Sequence, residues 1–589
     1  MRFKLLWMLW WGCCLSGSTQ TLPAERTTDW SRAGTVPTEF PDGAWVDFQH
    51  AGGFADGVTP NDAVISRLLD SLRGVPAVLY FPPGTYRFER PLVLRDHLIL
   101  RGASAAETRL RFALQEEKDL ISVTGKVTAD TAALTADAAQ GDRRVHVTAS
   151  ARFQPGDYVY LSEDDARLVT SEWARGETGQ VVQISAIQGN VLVLASPLRR
   201  PFAQAYQAQL QRWEPVQYVG IEQLALERLD ATKAQTSNLH FQYAAHCWVT
   251  CVESINGNFA HITASHSTQL EISGSYLHNA FAYGGGGQGY GVMLQFATGE
   301  CLVHNNVFRH LRHAMILQAG ANGNVLAYNY SREPYWDDPF LPTNAAGDLV
   351  LHGNYPYANL CEGNQVQNLV IDNSHGINGP YNTFFRNRIE LYGIVMNSNP
   401  ASDRQNFVGN EITNSGAFMG NYLLAGSGHF EYSNNQKGKR VPAQTGDLPE
   451  ASLYRKTPPP YYGVQEAWPS MGPPHALNAH PLLAAVRWAE GGHTACDVET
   501  PVTHRETLPA PRLVLYPNPV RDRLQWRWPS SAPASVRSVE VYGTTGQLLL
   551  SAPYTTSLDV SHLPAGLYRL VVTRTDGRRY HQPFIRQGN

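Results

Sequence analysis

Two histidines carry the strongest chemical signal in this chain. His352 stands in DLVLHG and His375 in IDNSHG, each followed by glycine and each twelve residues before an asparagine, Asn364 and Asn387. If those asparagines stack, the two imidazoles lie one above the other. Imidazole is the side chain suited to moving protons near neutral pH. Asp348, Asp372 and Asn378 are close in sequence and can orient either ring or hold a cation. A purely structural histidine file is the competing reading.

The frame that would stack them is legible between Leu270 and Thr413. The segments LVHNNVF, LCEGNQV, FFRNRIE and FVGNEIT repeat an apolar residue, variable residues, an asparagine and a second apolar residue. The anchors are Ser275, Asn306, Asn329, Asn364, Asn387 and Asn410, separated by 31, 23, 35, 23 and 23 residues. A recurrent step of 23 suits one coil of a three-sided parallel β-helix, with three short strands and three turns per coil. Sandwich hairpins would recur every ~8–12 residues with no kept register. Five residues before an anchor, Asn324, Asn359 and Asn382 also coincide, so two asparagine files at fixed offset are expected to hydrogen-bond from coil to coil. The two long steps carry eight and twelve extra residues, placed within AYGGGGQGYG and REPYWDDPFLPTNA. Both insertions leave the coil after its anchor, and therefore from one edge, where paired loops would wall a groove.

Side chains alternate in and out along a strand, so equal offsets from the anchors form outward files. One residue after an anchor stand Val307, Tyr330, Gln365, Arg388 and Glu411; three residues after stand Arg309, Arg332, Gln367 and Glu390. Such a face suits a hydroxyl-rich, acidic polymer, because a guanidinium pairs with a carboxylate through two hydrogen bonds. A solvated polar face without a ligand is the alternative. The substrate-binding candidates are Arg309, Arg332 and Glu390, with Trp336, Asp337 and Asp338 from the WDDPF loop. Tyr330 and Arg388 join His352 and His375 as candidates for the chemistry.

Composition narrows the class. The 589 residues are 43% hydrophobic and 17% charged, which excludes a disordered chain. A net charge of −4, from 47 basic and 51 acidic side chains, argues against a nucleic-acid partner. Fifty Gly, 37 Pro and 27 Tyr favour strands and turns over helices. The fold class is all-β. Residues 1–18 read as a secretory signal peptide, with early cations, an apolar run from Leu5 to Leu15 and then small residues. That run is well short of the ~20 residues that span a bilayer, and no later segment could do so. Beyond it, Cys247, Cys251, Cys301, Cys361 and Cys496 are read mainly as buried thiols, with one bridge possible.

Before the repeats, VTPNDAVISRLLDSLRG predicts a helix with Thr59 as cap and Pro60 in its first turn. AVLYFPPGTYRF and LVLRDHLILRG follow as strands. Residues 141–199 predict a small inserted β domain, with coil pattern resuming at YVGIEQLALERL. The span 437–511 is rich in Pro and Gly, as a linker or irregular cap. Residues 512–589 alternate as a small β-sandwich.

The stretch from Ala44 to Gly102, through DGVTPNDAVISRLLD and YFPPGTYRF, resembles the amino-terminal part of pectate-lyase-like proteins. The resemblance implies that the helix plugs the open end of a right-handed parallel β-helix covering residues 40–436. The final segment resembles the carboxy-terminal sorting domain of type IX secretion cargo, through Tyr516-Pro517-Asn518-Pro519, Gly543 to Gly546 and Leu563-Pro564-Ala565-Gly566-Leu567-Tyr568. It implies the secretion machinery as a partner, and a secreted location or the outer-membrane surface of a Gram-negative bacterium. The first resemblance also implies a polysaccharide substrate. A lyase would remove the proton beside a uronate carboxylate, with Ca²⁺ or Arg offsetting its charge, and Asp372 and Asp348 are the candidate Ca²⁺ ligands. A hydrolase would need two carboxylates about 5–9.5 Å apart. No lysine occurs between Lys233 and Lys437, so a lyase base must be His, Arg or Tyr. The hydrolase set of Asn-Thr-Asp, Asp-Asp and Gly-His-Gly does not occur together, and Arg-x-Pro-x-x-Arg of the best-known pectate lyases is missing. The expectation is a lyase of an acidic polysaccharide, with a glycoside hydrolase or a non-catalytic glycan-binding, adhesin-like protein as alternatives.

Overall fold

The computed structural model describes residues 21–589 except 41, 466, 474–479, 492–493, 497–513, 528–535, 544–546, 554–556, 575–578 and 588–589. The signal segment 1–18, and 544–546 of the Gly543 to Gly546 motif, lie outside the described residues. From Ala44 to Tyr432 the chain winds as a parallel β-helix. One wall is a parallel sheet of twelve strands, and a larger sheet wraps the other sides.

The period creates the core. Val303, Leu326, Cys361, Phe384 and Phe407 pair in register from coil to coil, and all are buried. At the turn that follows, Asn306, Asn329, Asn364, Asn387, Asn410 and Asn434 form a ladder, each Nδ2 donating to the next Oδ1 at 2.9–3.0 Å. Asn324, Asn359, Asn382 and Gln405 form the second at 2.9–3.0 Å. Each amide also donates to a backbone carbonyl, as Asn329 does to Val303 at 2.8 Å. These buried turns are therefore satisfied by side chains that the next coil repeats.

The first coil is capped by the helix Asp62–Ser71, which buries Ile65 and Leu68. Thr59 does not cap it. Thr59 and Pro60 end the strand Asp56–Pro60, and the Thr59 hydroxyl donates to Asp56 at 2.7 Å. The inserted domain is a six-stranded sheet, antiparallel throughout, that begins at Lys126 and ends at Glu214, wider than 141–199. Its edge strand Lys126–Ala133 is largely exposed or half-buried, and the strand beside it, Gln209–Glu214, buries only Leu210 and Trp213, so neither shows a strong apolar alternation. The sheet is docked on the solenoid. The buried Arg199 pairs with Glu300 at 2.5 Å and donates to Asn322 at 2.9 Å. Gly320 (φ +73) faces the Glu177 carbonyl so closely that a Cβ there would lie 1.8 Å from that oxygen.

The segment after 437 is not a linker. It returns along the outside of the twelve-stranded sheet as a strap. Arg386 donates to the Leu448 carbonyl at 2.7 Å, the Leu453 N–H to Glu362 at 2.8 Å, and Arg487 to the Asn305 carbonyl at 2.7 Å. Leu448, Met471, Leu482 and Ala484 pack on Val307, Val325, Leu360 and Phe385. A disulfide joins Cys251 to Cys496, while Cys247, Cys301 and Cys361 are buried free thiols. Beyond it, two antiparallel sheets of three and four strands share one core that includes Leu524, Trp526, Val541 and Phe584.

Candidate functional site

The site grows from one outward file of the solenoid. Gln242, Ser265 and Gln295 pair in register, and His352 pairs with Asp372. Gln318 bridges them, because Leu317 pairs with both Leu294 and Leu351. Hydrogen bonds follow the file. Gln318 donates to Gln295 at 2.8 Å, Gln295 to Ser265 at 3.3 Å, and Asn397 to Asp372 at 3.3 Å.

His375 is therefore not the register partner of His352. The equal offsets hide two compensating changes. Leu317 lies eleven residues after Asn306, but Ile371, in the same file, lies seven after Asn364. Gln365–Asp372 runs as one strand where Val307–Arg309 and His313–Leu317 are separated by a turn. The chain regains those residues after Asp372, in the turn that carries His375. The rings meet nonetheless, edge to face, with centroids 4.9 Å apart.

Nδ1 of His352 lies 2.5 Å from Oδ2 of Asp372. Asp372 also accepts from the Ser374 N–H at 2.8 Å and the Ser374 hydroxyl at 2.9 Å. Burial opposes its charge, but the hydrogen bond and positive charge of His352 outweigh that and hold the carboxyl well below its ordinary value. Burial lowers the pKa of His375, and the charge of His352 lowers it further. A third imidazole, His313, lies 5.7 Å from His352 and stacks on Tyr290 at 5.1 Å. Its Nδ1–H donates to the Gly347 carbonyl at 2.8 Å, and burial pushes its pKa down to about 3, so it stays neutral.

His352 and His375 line a cleft of ≈ 460 Å³ whose floor includes Gln295 and Gln318 and whose sides include Trp173, Phe296, Tyr290 and Arg312. Trp173 comes from the inserted domain. On the other side the two long insertions touch: Tyr283 and Tyr335 meet edge to face at 5.1 Å, and the Asp337 N–H donates to the Tyr283 carbonyl at 3.4 Å. Arg312 ties them together. It donates to the Gly284 carbonyl at 2.5 Å, and its guanidinium lies 5.1 Å from the Trp336 ring. Asp338 accepts from the Phe340 N–H at 2.7 Å and so shapes its own loop.

The other sequence candidates stand elsewhere. Arg332 pairs with Glu390 at 2.9 Å and bonds the Tyr330 hydroxyl; Arg309 pairs with Glu333 at 2.8 Å. Arg388 is 6% exposed; it pairs with Glu411 at 3.1 Å and donates to the Ser470 carbonyl of the strap at 2.9 Å. Arg388 and the buried Tyr330 therefore do not line the cleft, because the strap and their own partners cover them. Asp348 is buried, which pushes its pKa up to about 6. It accepts from Ser331 and from the Gln367 and Asn368 N–H groups. Ca²⁺ takes six to eight oxygen ligands, whereas the oxygens of Asp348 and Asp372 are committed to these donors. Among the described residues, no group of three or more His, Cys, Asp or Glu side chains is placed to hold a metal ion. The residues do not fit the proposed Ca²⁺ site.

Sequence reasoning missed Trp173, Tyr290, Gln295, Phe296, Arg312 and Gln318. One signal was available: YGVMLQ and HAMILQ end in glutamines 23 residues apart. Trp173 lies in an insertion with no period and offered none.

A coiled parallel sheet bearing a histidine cleft, followed by a terminal pair of antiparallel sheets, defines the fold: a parallel β-helix whose amino-terminal coils and terminal domain each match a known family. Residues 45–146 match the family described as rhamnogalacturonase A/epimerase, pectate lyase-like. Residues 514–585 match the secretion system C-terminal sorting domain, which marks the chain for type IX export to the cell surface or beyond. Among solved structures, the tailspike gp61 of Pseudomonas phage phi297 is similar at 13% identity, over 67% of this chain and 68% of that one, with a TM-score of 0.49. The A-module of the Azotobacter vinelandii mannuronan C-5 epimerase AlgE6 is similar at 13% identity, over 66% and 99%, with a TM-score of 0.31. A Thermotoga maritima exopolygalacturonase is similar at 11% identity, over 69% and 94%, with a TM-score of 0.36. No curated protein matches the chain. Among the described residues, no helix is long and apolar enough to cross a membrane.

Proposed function

We propose that the protein is an exported polysaccharide lyase that cleaves a uronate-containing polymer by β-elimination in the His352–His375 cleft. The observation that carries this reading is the lining itself. Among its described residues the cleft presents two histidines, an arginine and a tyrosine but no carboxylate. A hydrolase needs two carboxylates facing the bond, and Asp372 is engaged by His352 and Ser374. An elimination needs a neutral base and a proton donor, two groups whose environments differ.

His375, kept neutral by burial and by the charge of its neighbour, is the base. It takes the proton from the carbon beside the uronate carboxylate. The electron pair forms the new carbon–carbon double bond, and the glycosidic carbon–oxygen bond breaks. His352, whose Nδ1 faces Asp372, is the acid that gives a proton to the departing oxygen. Arg312 stands across the cleft as partner for the uronate carboxylate. The sorting domain would deliver the enzyme to the surface or surroundings of a Gram-negative cell, where it would meet a polymer too large to enter.

The test is incubation of the mature protein with a panel of uronate polymers, with and without Ca²⁺, following the ultraviolet absorbance of unsaturated products. Activity that persists in chelator is expected. New reducing ends without that absorbance would replace the lyase by a hydrolase. Binding with neither product would make the protein an adhesin.

A further inference from the structure

The inserted sheet presents an aromatic to the cleft under unusual conditions. Trp173 is 46% exposed, whereas Trp30, Trp213 and Trp248 are 1%, 4% and 1% exposed. Its loop is nonetheless anchored. Asp165, buried, accepts from the Gly176 N–H at 2.8 Å and the Thr178 N–H at 3.1 Å, and Ala174 beside the tryptophan is buried. The Ser171 N–H donates to Asn354 at 3.3 Å, and the Thr170 hydroxyl to the His375 carbonyl at 3.2 Å. Two of these bonds end on the turns beside His352 and His375. The indole meets His375 edge to face at 5.4 Å and Phe296 at 6.0 Å.

An indole held rigid yet left in water sacrifices hydrophobic stabilisation that burial would supply. A site for a ligand with an apolar face accounts for that arrangement. A pyranose offers such a face through its ring C–H groups, with hydroxyls at the rim. The floor beside Trp173 carries the amides of Gln295 and Gln318, linked at 2.8 Å, which supply donors and acceptors for those hydroxyls.

We infer that the inserted domain is the saccharide-binding wall of this cleft, and that Trp173 stacks on the sugar unit next to the one held at His375. This rests on reading the cleft as a saccharide site, but it does not depend on the chemistry being elimination.

Two measurements test it. In the His352→Ala protein, titration with oligogalacturonate, oligomannuronate, oligoguluronate and hyaluronan fragments is followed by calorimetry and by tryptophan emission. At least one fragment is expected to bind and to change the emission, and adding Trp173→Phe should abolish that change while leaving most of the affinity. In the otherwise unaltered enzyme, Trp173→Ala is expected to raise KM about three- to tenfold, as one lost aromatic contact implies, with kcat within twofold and Trp173→Phe restoring most of the loss. A fall in kcat at constant KM, not rescued by Phe, would make Trp173 a support for His375 and overturn the inference. Failure of every fragment to bind would overturn it as well. Binding that depends on Trp173 without cleavage would keep the inference and remove the proposed reaction; cleavage with an unmoved KM would do the reverse.

Discussion

Two outward faces on the same coils have opposite fates. The file through Gln295, Gln318 and His352 opens into a cleft, with Asp372 held behind His352. The neighbouring face, with Tyr330 and Arg388 in one file and Arg332 and Glu390 in the next, is closed by its own ion pairs and, at Arg388, by the Ser470 carbonyl of the strap. Both satisfy the same rule of alternation, and both are rich in groups that could do chemistry. Pointing outward from a solenoid is thus distinct from facing solvent: the second depends on segments remote in sequence.

The comparison breaks most sharply at the open file. His352→Ala and Asp372→Asn are each expected to reduce kcat by about 10²- to 10⁴-fold, the usual contribution of a positioned proton-transfer group. Both proteins are expected to stay folded, with melting temperatures lowered because each change breaks a largely buried contact. Equal losses in an Arg388→Gln protein that still melts normally would show that the wrong file had been chosen.

Loss of the strap's covalent tether is the next largest effect. Cys496→Ser removes a bridge that closes a loop of 245 residues, and a cost of about 2–4 kcal/mol is expected in denaturant titrations. The midpoint of chemical unfolding should fall, with activity at low temperature preserved.

Glu362 sharpens the picture under the strap. Burial pushes its pKa from 4.5 up to about 7, although bonds from the Leu453 N–H, Ser452 and Tyr328 pull the other way. A carboxyl whose folded pKa is raised binds more protons folded than unfolded. Its stabilisation is complete below 4.5 and is lost as pH rises through about 7. Glu362→Gln should flatten the decline in melting temperature across that window. A variant with the parent's slope would exclude Glu362 as its source.

The smallest effect is expected on the closed file. Arg332 and Glu390 form a partly exposed pair, worth ~0–1 kcal/mol. Glu390→Gln should leave activity unchanged and shift stability by no more than that, measured as an unfolding midpoint.

Much of this frame is legible in the chain. The anchors Asn306 to Asn410, and the partners Asn324, Asn359 and Asn382, occur at separations that the ladders require, and the apolar residues between them form the core. The pairing of His352 was not legible, because a shortened turn before Asp372 and an added one after it cancel between anchors. The disulfide was not legible either. Cys251 and Cys496 are brought together only when the strap runs back along the coils it has just left. Nor was the wall built by Trp173, since a docked domain obeys no coil period.

What the amino-acid order settled by itself is the register: hydrogen-bonding asparagines and alternating side chains repeat locally, so each coil reads its neighbour. Which file stays open was decided in three dimensions. The strap and the inserted sheet settle where buried contacts such as Arg199 with Glu300 and Glu362 with Leu453 can form, and those contacts join residues that no local pattern links.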